Sequence, residues 1–138
     1  MGSSGMRILV IEDSPLVQKM YGLAFPRREY ELVTASDGRE ALRRLSESAF
    51  DAVLLDLRMP GMNGVEFLQE IRRRPELVRL PIVLTTIEAE GSELLEAAKR
   101  LGVAAVVKKP WHPQQLRTLI DGLSGRAGGG SAGTGPAE

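Results

Sequence analysis

The stretch AVLLDLRMPGMNGVEFL, residues 52–68, decides the fold. Ala52 to Leu55 is an unbroken apolar run, the pattern of a strand covered on both faces. It ends on a carboxylate, Asp56, with Pro60 four residues on and Gly64 eight residues on. A charge at the end of a buried strand is costly unless something compensates it. Asp56 therefore either makes a local turn or is the centre of a site.

Working outward, the same alternation fills the chain. Short apolar runs rich in β-branched residues stand at 8–11, 32–35, 52–55, 82–85 and 103–107. Between them the apolar residues fall at helical spacing, as in Leu16-Val17-Met20-Leu23-Ala24, Ala41-Leu42-Leu45 and Val65-Phe67-Leu68-Ile71. Leu94-Leu95-Ala98-Leu101 and Leu116-Leu119-Ile120-Leu123 continue the series. Five strands alternating with five helices predict an α/β fold with a parallel sheet covered on both faces. The punctuation agrees. Ser14-Pro15 supplies a cap and a first-turn proline, and Asp37 with Glu40 has the spacing of a capping box. Pro75 should stop the third helix, and Gly102 should end the fourth.

At 138 residues the chain fits one domain, which buries roughly two thirds of its unfolded surface. Residues 1–5, small and polar, read as an appended remnant ahead of Met6; residues 6–124 read as the domain. Residues 125–138, of Gly, Ala, Ser, Thr and Pro with little else, read as a flexible tail or linker. Eighteen basic residues balance eighteen acidic ones, so charge gives no reason to expect nucleic acid as a partner. Arg72-Arg73-Arg74 reads as a solvated helix end. With no cysteine there is no disulfide or thiolate site. No apolar run approaches the roughly 20 residues of a membrane helix, and no signal peptide stands at the start, so the expected compartment is the cytoplasm.

In an open parallel sheet, ligands bind beyond the carboxyl ends of the strands. Glu12 and Asp13 stand past the first strand, Asp56 ends the third, Thr85-Thr86 the fourth, and Lys108-Lys109-Pro110 the fifth. Each has a dull explanation singly: Glu12 suits a helix N-terminus, Asp56 an Asx-turn, Thr86 a strand end, Lys109 a surface. Asp13 is not needed as a cap, because Ser14 is better placed. Together they gather three carboxylates, a hydroxyl and an ammonium on one sheet edge. Oxygen ligands without Cys or His suit a hard cation that keeps waters, such as Mg²⁺. With a free carboxylate and a lysine, the set suits phosphoryl transfer: the carboxylate attacks phosphorus while cations neutralise the other oxygens. Asp56 needs no general base for this, and His112, the single histidine, reads as a surface residue.

These residues resemble the receiver domain of two-component response regulators, of the chemotaxis-regulator type, over about residues 6–124. The resemblance rests on Glu12-Asp13, Asp56 with Pro60 and Gly64, Thr86 five residues after Pro81, and Lys109-Pro110. It implies a flavodoxin-like (βα)5 three-layer sandwich with strand order 2-1-3-4-5. It implies that Asp56 accepts a phosphoryl group from a sensor histidine kinase or histidine phosphotransfer protein. Mg²⁺ would be held by Glu12, Asp13, Asp56 and the backbone carbonyl of Arg58. Lys109, joined to Pro110 by a cis peptide, would pair with the phosphoryl group, and Thr86 would turn its hydroxyl toward it. Any catalysis implied is directed at the chain's own Asp56: phosphotransfer and autodephosphorylation. The surface of the fourth helix, fifth strand and fifth helix would carry the signal to a downstream protein target or an output domain missing from this chain.

Three departures from the family pattern bear on mechanism. Val106 stands where an aromatic residue is usual, so a switch that rotates a ring inward is not available in its usual form. Ile87 stands where Ala or Gly is common and is expected to hinder attacking water. The segment from Thr86 to Gly102 is one residue longer than usual. Competing readings fare worse. A pseudo-receiver that binds partners without phosphoryl turnover is the main alternative, and the intact acidic set and Lys109 count against it. A haloacid-dehalogenase-type phosphatase needs a second acid two residues after its nucleophile, where Asp56-Leu57-Arg58 has none. A dinucleotide-binding domain needs a glycine-rich cradle, and Glu12-Asp13-Ser14-Pro15 is not one.

Overall fold

The computed structural model describes residues 5–129, with the side chains of residues 5–123. The strands are β1 (Met6–Ile11), β2 (Tyr30–Ala35), β3 (Ala52–Asp56), β4 (Ile82–Thr86) and β5 (Ala105–Lys108). The helices are α1 (Pro15–Ala24), α2 (Gly38–Glu47), α3 (Gly64–Arg72), α4 (Glu93–Leu101) and α5 (Pro113–Gly129). All strand pairs are parallel, in the order β2-β1-β3-β4-β5, with β2 and β5 at the edges. This is the expected flavodoxin-like arrangement. The expected domain boundary at residue 124 falls inside α5, and residues 1–4 and 130–138 of the expected remnant and tail lie outside the described residues.

Strand alternation divides the core into two layers. Leu9, Ile11, Val53, Leu55 and Leu84 face α2, α3 and α4, meeting Leu45, Phe67, Leu68, Ile71 and Leu95. Ile8, Val10, Leu54, Val83 and Val107 face α1 and α5, meeting Tyr21, Phe25, Leu116 and Ile120. β3 is the middle strand and every residue of it is buried, Asp56 included. That explains the unbroken apolar run: the strand has helices on both sides and strands on both edges.

The local signals place the helix starts. Ser14 caps α1, accepting from the Val17 N–H at 3.3 Å. Asp37 caps α2 through the Glu40 N–H, but the Glu40 carboxylate accepts from the Ser36 N–H, one residue earlier than a capping box requires. The complete box is at α3, where Asn63 and Glu66 satisfy each other's N–H groups. Helix α3 stops at Arg72 ahead of Pro75, and Gly102 ends α4 at φ 96°. β5 begins at Ala105 and not at Val103, because the chain first leaves this positive-φ turn. Arg72, read from the sequence as solvated, instead donates to the Leu101 and Gly102 carbonyls and ties α3 to the end of α4.

Gly64 opens α3 against the loop that follows Asp56, its N–H donating to the Leu57 carbonyl at 2.8 Å. A Cβ there would sit 2.9 Å from Leu57 Cα and 3.0 Å from its carbonyl oxygen. Backbone cannot yield as a side chain does, so Gly64→Ala is expected to lower unfolding free energy by about 1–3 kcal/mol. Urea denaturation checks this; an unchanged midpoint would show that the loop relaxes freely.

Candidate functional site

Three loops deliver the site. Glu12 and Asp13 follow β1, Asp56 closes β3, and Lys109 follows β5. Glu12 is fixed by its neighbours: its carboxylate accepts from the Ser14 N–H at 3.2 Å, and its carbonyl accepts from Gln18 at 2.6 Å. Because Ser14 performs the capping, Asp13 is left exposed and uncommitted to the helix. Carboxylate oxygens of Glu12, Asp13 and Asp56 come within 4.8 Å of one another. Lys109 Nζ lies 3.2 Å from Asp56 Oδ1 and 3.6 Å from Glu12 Oε1. The Lys109–Pro110 peptide is cis, as the resemblance implies.

The electrostatics are those of a site short of positive charge. Glu12 is 3% exposed and Asp56 8%. Burial raises the carboxyl pKa of both above the ordinary range. Lys109 opposes the rise in each case; for Glu12 the Asp56 and Asp13 charges add to it, and for Asp56 the Asp13 charge does. Glu12 Oε1 is buried with no hydrogen-bond partner among the described residues. An all-oxygen donor set, one of its buried oxygens unsatisfied, with three carboxylates against one ammonium, fits a hard divalent cation such as Mg²⁺. The raised values also fix a pH dependence. Between about pH 4, where free carboxylates titrate, and the higher native values, the native state holds protons the unfolded chain has lost. Folding stability therefore falls as pH rises through that window.

The structure separates the two threonines. Thr86 is buried at the end of β4, and its hydroxyl accepts from the Glu88 N–H at 2.9 Å, away from any bond to Asp56. Thr85 stands beside Asp56 in the ladder and accepts from the Tyr21 hydroxyl at 3.2 Å. Burial pushes the Tyr21 hydroxyl up to about 12, so it remains a donor. Its ring packs on Trp111 with centroids 4.7 Å apart. The Arg58 N–H donates to Asp56 Oδ1 at 3.3 Å, while the Arg58 guanidinium pairs with Glu88. That contact holds the Glu88 carboxyl below its usual range, and the Lys108 ammonium reaches the Glu88 carbonyl. Ile87 is 70% exposed and His112 is exposed.

Sequence reading reached Glu12, Asp13, Asp56 and Lys109, and these are the residues brought together. It does not single out Tyr21 or Glu88, and between Lys108 and Lys109 it takes Lys109. For Glu88 a signal existed. Asp56 and Thr85 are in register, so residues just past each strand end become neighbours, and Arg58 and Glu88 have opposite charge.

Comparison with known proteins agrees with this geometry. The family model for the response regulator receiver domain matches residues 8–121. The chain is 32% identical to the chemotaxis protein CheY of Pseudomonas aeruginosa, over 90% of this chain and 100% of that one. It is 35% identical to regulatory protein AtoC of Escherichia coli over 83% of this chain, but spans only 24% of AtoC's length. The receiver domain of the sensor histidine kinase PA1611 from Pseudomonas aeruginosa superposes with a TM-score of 0.80 at 27% identity, covering 88% of this chain and 99% of that one. That structure has a magnesium ion coordinated in its active-site cleft.

Proposed function

The chain belongs to the response regulator receiver domain family, and from that premise we propose that Asp56 is the phosphoacceptor of a two-component or phosphorelay system. The observation that carries this reading is the placing of Asp56. Its carboxylate ends a fully buried central strand, 3.2 Å from Lys109 and within reach of two further carboxylates. The donor is a phosphohistidine on a sensor histidine kinase or phosphotransfer protein. An Asp56 carboxylate oxygen attacks phosphorus, the P–N bond breaks, and the histidine nitrogen keeps the electron pair. The new oxygen–phosphorus bond is an acyl phosphate.

Each residue then has a task. Lys109, already beside Asp56, offsets charge on the phosphoryl oxygens. Glu12, Asp13, Asp56 and the Arg58 carbonyl are the residues to hold Mg²⁺. The ion, when bound, neutralises phosphoryl charge as the transition state forms. Thr86 gives up the Glu88 N–H and turns its hydroxyl to the new group, which draws in the β4–α4 loop. The added charge, about −1.5 to −2 near neutral pH, is thereby read on the face of α4, β5 and α5. With Val106 half-buried in place of a ring, the loop movement itself is the signal. Its recipient is a separate protein or an attached output domain.

The test is incubation with Mg²⁺ and acetyl phosphate, followed by intact-mass measurement. One phosphoryl increment is expected, and it should disappear on treatment with hydroxylamine, which cleaves acyl phosphates. A chain that takes up no phosphoryl group from this donor would overturn the reading.

A further inference from the structure

Two side chains at the mouth of the site have no part in the scheme above. Arg58, two residues past Asp56, and Glu88, two past Thr86, form an ion pair between the loops that follow β3 and β4. The two ends differ in freedom. Glu88 is anchored: its N–H donates to Thr86 Oγ1 at 2.9 Å, Lys108 holds its carbonyl, and its side chain is 11% exposed. The Arg58 side chain is 66% exposed, yet its own N–H rests on Asp56 Oδ1 at 3.3 Å. The exposed cation is therefore rooted at the phosphoacceptor and paired with an anchored anion. Ile87, the bulky departure from the family pattern, is largely exposed between Thr86 and Glu88.

Resting on the phosphoacceptor reading, we propose that the Arg58–Glu88 pair is a latch: Glu88 withholds the guanidinium that the phosphoryl group on Asp56 takes. Lys109 is already shared between Glu12 and Asp56, which leaves the guanidinium of Arg58, two residues past Asp56, to take the third phosphoryl oxygen. A guanidinium binds a phosphate through two parallel N–H donors, and the phosphoryl dianion outbids a single carboxylate. Once Arg58 leaves, Glu88 loses its tie to the β3–α3 loop. The segment carrying the Glu88 N–H is then free to release the Thr86 hydroxyl. Glu88 acts through Arg58 and is a positioning residue.

The two ends of this pair should respond in opposite directions, which a merely structural tie does not allow. With Mg²⁺ and acetyl phosphate, Glu88→Gln frees the guanidinium and should speed phosphoryl uptake about two- to five-fold, the range of an exposed ion pair. Arg58→Ala breaks the same pair but removes the cation, and should slow uptake. The double variant should match Arg58→Ala alone, because Glu88 has nothing left to withhold. Singles that shift the rate in the same direction, or not at all, would overturn the latch. So would a gain from Glu88→Gln that persists in the Arg58→Ala background. Wild-type uptake in the same time course shows whether the phosphoacceptor reading still stands when the latch fails; no wild-type uptake refutes both.

Discussion

Asp56→Asn is expected to abolish phosphoryl uptake and, in metal-free buffer, to melt at a higher temperature than the parent. The first result follows because an amide oxygen does not displace the histidine nitrogen. The second follows from burial. Asp56 sits 8% exposed beside two other carboxylates, and desolvation raises its pKa in spite of Lys109. A charge the fold resists at neutral pH is a charge whose removal stabilises it. Lys109 keeps a partner in Glu12 at 3.6 Å, so the substitution strands no cation. A gain of about 1 kcal/mol, roughly 3–5 °C in a domain of this size, is the expected scale. The gap should narrow as pH falls toward 4, because the parent's native carboxyl takes up its proton before the unfolded chain does. Added Mg²⁺ should raise the parent more than the variant, since ligand binding stabilises the state that binds. Scanning calorimetry at pH 7 and pH 4.5, with and without Mg²⁺, reads all of this. A variant that melts lower than the parent at pH 7 would show that Asp56 is held by favourable contacts and not against a penalty.

Lys109→Met carries the opposite pair of expectations. It removes the one ammonium lying between Glu12 and Asp56, so phosphoryl uptake should slow by about 10²-fold, the usual scale for losing one preorganised charge at a transition state. It also leaves two buried carboxylates without their counter-ion. The Lys109 side chain is 23% exposed, so the loss falls below that of a fully buried pair, at about 1–3 kcal/mol at pH 7. That deficit should shrink at pH 4.5. It should also shrink in the Asp56→Asn background, where only one carboxylate remains to be compensated. Uptake time courses and paired melts test the two halves separately. Equal destabilisation at both pH values would assign Lys109 to packing and not to charge.

Much of this could be read from the chain because the fold repeats one rule. A parallel strand between two helical layers is apolar throughout, so a polar residue at its end stands out, and Glu12, Asp13, Asp56 and Lys109 each stood out in that way. The caps were legible where one residue decides them, as at Ser14 and Asp37. What stayed hidden depends on contacts between loops. The sequence gives Arg58 a role only through its backbone carbonyl, and its side chain finds Glu88 as a neighbour only once β3 and β4 are paired. Arg72 looked solvated because nothing local shows that the last carbonyls of α4 lie within its reach. The Thr86 hydroxyl accepts from the Glu88 N–H, a bond across the β4–α4 loop that no spacing shows. A side chain with two available partners is not resolved by spacing.

The shortness of β5 has a consequence for how this protein is recognised. An edge strand invites another chain to extend the sheet, and natural proteins blunt that invitation with brevity, lysine and proline. β5 has four residues, ends on exposed Lys108, and is followed within two positions by Pro110, which has no N–H to offer. Strand addition along this border is thus discouraged, together with the self-templated aggregation it leads to. A molecule that binds here has to recognise the pattern of side chains around β5, because the backbone gives it little to zip onto.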